Sequence, residues 1–215
     1  MFAEGALPDG VKDLGLIETL LWTRKDGYFL REGHLSRMKA SAAAFSFAFA
    51  AADFDRALEE ACAAAKIEPL RVRLVLQSNG EIVASAAPFE REPESKIWRV
   101  ALAETRFDSR DPLLRHKITR RALYEDALAR AGADEVIFLN ERDEVCEGAR
   151  TNVFVLREGL LLTPPVSSGL LPGVLRADLL GQGRAKETVL ELDDLRGGFS
   201  LGNSLRGLFA ARVFE

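Results

Sequence analysis

Three kinds of group in this chain could do chemistry together: a lysine amine, a carboxylate and a row of unpaired backbone N–H groups. The amine is Lys117, inside Arg115-His116-Lys117-Ile118-Thr119-Arg120, and no other lysine falls between Lys96 and Lys186. The carboxylate is Glu147, thirty residues on. It sits in a polar cluster, Glu144 to Thr151, that runs straight into the apolar stretch Asn152-Val153-Phe154-Val155-Leu156. A Pro-rich loop follows, and Pro172-Gly173 opens a helix. The free N–H groups of Val174 and Leu175 at such an end favour an anion such as phosphate. A second anion-binding candidate lies near the start of the chain. His34 and Arg37 are one helical turn apart and share a face, and an arginine fork suits a phosphate dianion by geometry as well as charge.

In this order, the segments resemble the motifs of class IV (fold type IV) pyridoxal-phosphate aminotransferases and their relative, aminodeoxychorismate lyase. The family's Glu-Gly-x-x-x-Asn-[Val/Ile]-Phe stands here as Glu147-Gly148-Ala149-Arg150-Thr151-Asn152-Val153-Phe154. Its lysine segment, His-Lys-Thr-Thr-Asn-Arg or close to it, stands as His116 to Arg121, with Ile118 and Arg120 replacing a threonine and an asparagine. His34 to Ser41 is similar to the family's His-x-x-Arg-[Leu/Met]-x-x-Ser, and Leu201 to Gly207 to a Gly-Asn-Ser-x-Arg-Gly loop of the lyase-like branch. The resemblance implies pyridoxal 5′-phosphate, which needs a lysine for its aldehyde, an acid beside its ring nitrogen and a phosphate cradle. It makes Lys117 and Glu147 the catalytic pair, Glu147 keeping the ring nitrogen protonated so that the ring absorbs electrons from the substrate α-carbon. Arg37, Asn152, Val174, Leu175, Asn203 and Ser204 are the further cofactor contacts it implies. Leu175 stands where members often carry threonine, so only backbone N–H groups contribute at that turn. No metal is assigned.

The reaction depends on the branch. The length and the Asn203-Ser204-x-Arg206 loop tilt the resemblance toward aminodeoxychorismate lyase. There Lys117 would release the cofactor to the substrate amine and then take the α-proton. Pyruvate would leave, with 4-aminobenzoate for folate synthesis as the other product. The alternative is a class IV aminotransferase for branched-chain or D-amino acids, which begins with the same proton abstraction and ends by passing the amine to a keto acid. A degenerate, non-catalytic paralogue is a third reading. Thr19, Arg121 and Arg206 are the candidates for holding a substrate carboxylate. Aminotransferases often place a tyrosine near the lysine; here position 122 is alanine and Tyr124 is the nearest phenol. Since the family usually dimerises, a homodimer acting on a small molecule is expected.

Composition excludes more than it selects. With 47% hydrophobic and 29% charged residues the chain matches an ordinary enzyme. A net charge of −4 and the lack of a basic stripe give no reason to expect nucleic acid. No stretch reaches the roughly 20 apolar residues of a membrane span; Ala40 to Ala52 is mostly alanine, broken by Ser41 and Ser46. The start, Met1 to Leu16, carries Glu4, Asp9 and Asp13 and does not read as a signal peptide. Cys62 and Cys146 lie far apart and read as reduced thiols, so a cytoplasmic protein is expected. Glu141 and Glu144 read as solvated.

These groups need elements to hold them. Leu14 to Trp22 reads as a strand, turned by Lys25-Asp26-Gly27 into Tyr28-Phe29-Leu30. From Glu32 the period changes: Leu35, Met38, Ala42 and Phe45 form one helical stripe. Asp53 is placed to cap a second helix carrying Phe54, Ala57, Leu58, Ala61 and Ala65. Asn79-Gly80 joins Arg71–Leu76 to Glu81-Ile82-Val83 as a hairpin. Residues 89–95 read as a linker between a small α+β domain, 1–88, and a larger α/β domain, 96–215. The second domain is expected to hold strands at 97–102, 136–139, 152–156, 160–163, 187–192 and 207–213. Arg157-Glu158-Gly159 reads as a tight turn. Helices are expected from about 120 to 131, closed by Gly132, and from Pro172-Gly173 to about Leu180. The expected class is therefore a two-domain α/β (α+β) fold type IV enzyme, similar to D-amino-acid aminotransferase, with the site in the cleft.

Overall fold

A computed structural model describes residues 14–214, so the acidic stretch up to Asp13 lies outside the described residues. Two sheets organise the chain. The first is built from β1 (Leu16–Thr23), β2 (Gly27–Tyr28), β3 (Leu70–Leu76) and β4 (Ile82–Pro88), in the order β2-β1-β3-β4 and antiparallel throughout. Period-2 alternation decides its faces. Leu70, Val72, Leu74 and Leu76 are buried, while Arg71 and Arg73 project to the other side. The apolar face is covered by α1 (Arg31–Phe45) and α2 (Ala51–Cys62), through Met38, Ala42 and Phe45 on one and Phe54, Ala57 and Leu58 on the other. At the Asn79-Gly80 turn, Gly80 takes a φ of +93° that a side chain would disfavour.

The chain passes through 89–97 into an eight-stranded sheet. Its members are β5 (Trp98–Phe107), β6 (Glu135–Asn140), β7 (Val145–Gly148), β8 (Asn152–Arg157), β9 (Leu160–Thr163), β10 (Ala185–Glu187), β11 (Phe199–Asn203) and β12 (Gly207–Val213). The order is β10-β9-β8-β11-β12-β5-β6-β7, and β7 also pairs with β8, so six of the strands close into a ring. β6 is buried along its whole length because both faces are covered. Ile137 and Leu139 meet Val100, Val145, Val153 and Leu201. Val136 and Phe138 pack instead with Phe107, Cys146, Leu170 and residues of α3 (Ala122–Ala131). The remaining helix, α4 (Val174–Gly181), lays Leu175 and Leu179 on Phe154.

Several expected elements shift. Ala50, not Asp53, is the N-cap of α2; Asp53 sits inside the first turn, paired with Arg56, where a carboxylate still suits the helix dipole. Ala51 and Ala52 are strong helix formers and carry the start three residues earlier. α3 begins at Ala122 rather than near Arg120. β5 runs on to Phe107, five residues past the strand end expected at 102. The strand expected at 187–192 is confined to Ala185–Glu187, because Glu191 and Asp194 form a reciprocal capping box that opens a 3₁₀ turn. Phe199–Asn203, whose last three residues belong to the loop expected at Leu201 to Gly207, is a strand between β8 and β12.

The two sheets are stitched by main-chain bonds. Ile17 N–H donates to the Lys117 carbonyl (2.7 Å), and Thr119 N–H donates to the Gly15 carbonyl (2.9 Å). Helices α1 and α4 also touch, with Gly33 against Val174 so closely that a Cβ on Gly33 would lie 2.7 Å from Val174 Cγ1. Beneath the junction Phe138 stacks on Phe107 (4.6 Å between centroids), and Tyr124 meets its edge at 5.2 Å. Replacing Phe138 by Ala should cost about 3–5 kcal/mol in urea unfolding; a loss below about 1 kcal/mol would mean that this aromatic stack does not hold α3 to the sheet.

Candidate active site

A cavity of about 750 Å³ opens where the Lys117 segment meets β1, within the range of small-molecule sites. Lys117 lies on its wall, its carbonyl fixed by Ile17. Burial drives the ammonium down from its usual value, and the like charges of Arg121 and Arg37 drive it further, to about 7; Glu18 and Glu147 pull the other way. The amine is therefore available as a base or nucleophile near neutral pH.

Glu147, on β7, faces the same cavity and is buried. Its Oε1 accepts from Tyr124 Oη (3.0 Å) and its Oε2 from Leu171 N–H (3.1 Å). Burial raises it to about 7 although both hydrogen bonds and the Arg121 charge oppose the rise. The glycine after it is sterically required: a Cβ on Gly148 would stand 2.3 Å from Thr151 Oγ1. Asn152, paired with Glu147 across β7–β8, donates to the Leu171 carbonyl (3.0 Å). Its Oδ1 would lie 1.9 Å from a Cβ on Gly173. Thus Asn152 holds the loop that presents the start of α4, and only glycine fits at Gly173.

That start is an open anion cradle. Gly173 is the N-cap and no side chain caps the helix, so the first N–H groups, Val174 and Leu175 among them, lack partners. The Leu175 side chain packs in an apolar cluster with Phe154, and the residue does not line the cavity. Arg37 lines the cavity beside Gly173 and Val174. Its Nε and Nη2 are engaged by Glu18, at 2.9 and 2.6 Å, and its Nη1 lies 3.5 Å from the Pro172 carbonyl. Asn203 and Ser204 also line the cavity. The Asn203 amide holds its own turn, accepting from Leu205 and Arg206 N–H and donating to the Arg150 carbonyl; Ser204 sits beside it with its hydroxyl free of any such duty.

The opposite wall is cationic. Arg71 and Arg73, on one side of β3, line the cavity with Arg120, Arg121 and Arg206, and none of the five forms an ion pair among the described residues. Arg73 is lowered by burial and by Arg121 and Arg71; Arg206 by burial and by Arg150. Thr19 stands opposite Arg73 in the β1–β3 register. Arg121 donates to the Ala149 carbonyl and covers the Tyr124 ring at 4.3 Å. The sequence candidates thus border one cavity with the exception of Leu175, which does not line it because its side chain packs with Phe154 and Leu179.

Sequence reasoning passed over Glu18, Arg71, Arg73 and the role of Tyr124. A lone acid inside the apolar strand Leu16–Leu21, and two arginines two residues apart on one strand face, were the available signals. Glu144 is a correction. It is tied to Arg142, Asn140 and Ser168, and those bonds hold it at about 2, because it locks the loop before Leu170 rather than facing water. Cys146 is buried, bonds the Ser168 carbonyl (3.0 Å) and has its thiol pushed up by burial, so it is a poor nucleophile. Among the described residues no helix is long and apolar enough to cross a membrane.

Residues 15–213 match the model of amino-transferase class IV. A Schizosaccharomyces pombe protein provisionally named aminodeoxychorismate lyase is 29% identical over 198 residues, which cover 87% of this chain and 84% of that protein. A branched-chain-amino-acid aminotransferase, so named, of Thermotoga maritima is 30% identical over 188 residues, 82% of this chain and 66% of that one. Among solved structures, a Mesorhizobium loti protein described provisionally as an amino-acid aminotransferase superposes with a TM-score of 0.90 at 44% identity, covering 94% of this chain and all of that one (100%).

The raised Glu147 makes a stability prediction for the cofactor-free chain. Its folded value, about 7, exceeds the unfolded 4.5, so the folded state holds the proton more tightly and the stabilisation is complete below pH 4.5. It is lost as pH rises from about 4.5 to about 7, by on the order of 3 kcal/mol. Glu147→Gln should flatten that part of the urea-stability profile. An unchanged slope in the variant would show that Glu147 ionises freely in the fold.

Proposed function

The chain belongs to the amino-transferase class IV family and is an enzyme of that family, and on that premise we propose that it uses pyridoxal 5′-phosphate to cleave 4-amino-4-deoxychorismate into pyruvate and 4-aminobenzoate. The residues fit this cofactor. A depressed lysine and a buried carboxylate share one cavity with an uncapped helix end. The bare Gly173 backbone there leaves room that Asn152 denies to any side chain. When bound, the cofactor supplies an electron-withdrawing ring. Lys117 Nζ would hold its aldehyde and, once displaced from it by the substrate amine, would move the substrate's α-proton. Glu147 sets its charge against the ring nitrogen. Arg37, the N–H groups of Val174 and Leu175, and the Ser204 hydroxyl hold the phosphate. Asn152 and Asn203 keep those loops in place.

The observation that carries the lyase reading is the cationic wall. Pyruvate and 4-aminobenzoate each carry a carboxylate, so their precursor carries two. Five arginines that form no ion pair among the described residues suit such a dianion far better than an aliphatic side chain. Arg121, Arg206 and Thr19, with Arg71 and Arg73 beside them, bind and orient it. The name of the Schizosaccharomyces pombe relative agrees. The reading carries with it a cytoplasmic homodimer supplying 4-aminobenzoate to folate synthesis. A class IV aminotransferase for branched-chain or D-amino acids is the second reading, favoured by the apolar lining at Leu113, Leu114, Leu123 and Leu205.

Lyase chemistry needs no amino acceptor. Given aminodeoxychorismate alone, the protein should release pyruvate and 4-aminobenzoate over many turnovers. Consumption only of 2-oxoglutarate with a branched or D-amino acid would select the second reading. Borohydride should fix the cofactor on Lys117, and Lys117→Ala should abolish turnover while leaving the fold intact. Peptide mapping that placed the cofactor on Lys96 or Lys186 would overturn the assignment.

A further inference from the structure

Glu18 is the one acid in the apolar run of β1, it is 1% exposed, and it does not line the cavity. Burial by itself would raise its carboxyl. The Arg37 charge and the hydrogen bonds from His34 and Arg37 reverse this and hold it at about 2, so it is a carboxylate at every working pH. His34 is buried too, and burial lowers it below its usual value despite Glu18. The trio is therefore a neutral imidazole, an anion and a cation, joined by three hydrogen bonds: His34 Nδ1 to Oε2 (2.5 Å), Arg37 Nε to Oε1 (2.9 Å) and Arg37 Nη2 to Oε2 (2.6 Å).

Donor arithmetic shows what this leaves. A guanidinium has five N–H groups. Glu18 takes one on Nε and one on Nη2, along one side of the plane. The two on Nη1 and the second on Nη2 remain, and one from each nitrogen forms the end-on edge that grips an oxyanion in bidentate fashion. Arg37 lies between the helix that carries it, α1, and the loop before α4, with Nη1 directed to the Pro172 carbonyl at a long 3.5 Å. The main-chain bond from Ile17 to Lys117 fixes the strand beside Glu18. We propose that Glu18 is the positioning residue of the phosphate cradle: it clamps one side of Arg37 so that the end-on edge is presented to a phosphate group at the start of α4. The proposal rests on the cofactor reading above. The clamp also lets the cavity keep a largely buried guanidinium before any ligand arrives, because its charge is already matched. His34, by donating to the same carboxylate, stops Glu18 from turning away.

The test separates phosphate recognition from general packing. Pyridoxal phosphate and unphosphorylated pyridoxal are titrated against the full chain freed of cofactor. The proteins compared are the wild type, Glu18→Gln, Arg37→Ala and the double variant. Glu18→Gln should weaken pyridoxal phosphate about tenfold and pyridoxal less than about twofold; in the Arg37→Ala background the same change should move pyridoxal phosphate less than about twofold. Glu18→Asp, which keeps the charge and withdraws it by one methylene, should fall between, and it carries the cycle if Glu18→Gln does not fold. Equal weakening of both ligands, or an undiminished effect without Arg37, would overturn the proposal. A wild type that binds pyridoxal phosphate no better than pyridoxal removes the cofactor reading itself. A wild type that prefers the phosphate, with Glu18→Gln keeping that preference, removes only the role of Glu18.

Discussion

The bond from Ile17 N–H to the Lys117 carbonyl is the constraint on which the site depends. It extends the pairing of the first sheet into a segment that belongs to the second half of the chain. Because neighbouring side chains of a strand point to opposite faces, fixing Ile17 also fixes Glu18 and Thr19. Glu18 goes to Arg37 and the helix side, and Thr19 to the cavity beside Arg73. One main-chain contact thus sets the amine, the anion cradle and the cationic wall in mutual register. Thr119 repeats the stitch one step on, donating from its N–H to Gly15 and accepting Gly15 N–H at its hydroxyl (2.9 Å).

The electrostatics run against stability. Lys117 and Glu147 each lose solvation in the cavity, and each moves toward its neutral form. A buried pair in which both partners sit near 7 is expensive in the empty protein and useful to a ligand that brings an electrophile and a basic ring nitrogen. The arginines add to the strain, since Arg37 and Arg121 push the lysine down and Arg73, Arg121 and Arg71 repel one another. Glu18 and Glu135 are the buried counterweights. Glu18 neutralises Arg37. Glu135 accepts from Arg150 N–H, Thr151 Oγ1 and Val136 N–H, and so freezes the turn that carries Glu147.

Rigid loops complete the arrangement by steric exclusion. Gly148, Gly173 and Gly33 each face a neighbour closer than a Cβ tolerates. Their shared effect is close approach: β7 to its own hairpin, the α4 start to Asn152, and α1 to α4. The cavity is consequently shaped by backbone as much as by side chains, which suits a ligand gripped through N–H groups.

Much of this was legible in the chain itself, for local reasons. The Asn79-Gly80 hairpin, the stripe Leu35, Met38, Ala42 and Phe45, and the Pro-Gly entry to α4 follow from φ limits and periodicity over a few residues. Lys117, Glu147 and Arg37 could be singled out because their motifs are short and ordered. What the tertiary structure alone decided is non-local. Phe199–Asn203 becomes a strand because β8 and β12 offer it two ladders, and Glu187–Leu192 stops being one because a capping box claims its backbone. Glu18 gains its meaning from His34 and Arg37, sixteen and nineteen residues away, and Arg71 and Arg73 gain theirs from a wall supplied by other segments. The sequence determined which groups could do chemistry; only folding brought each to its charge, because burial and the nearest opposite charge are properties of distance in space.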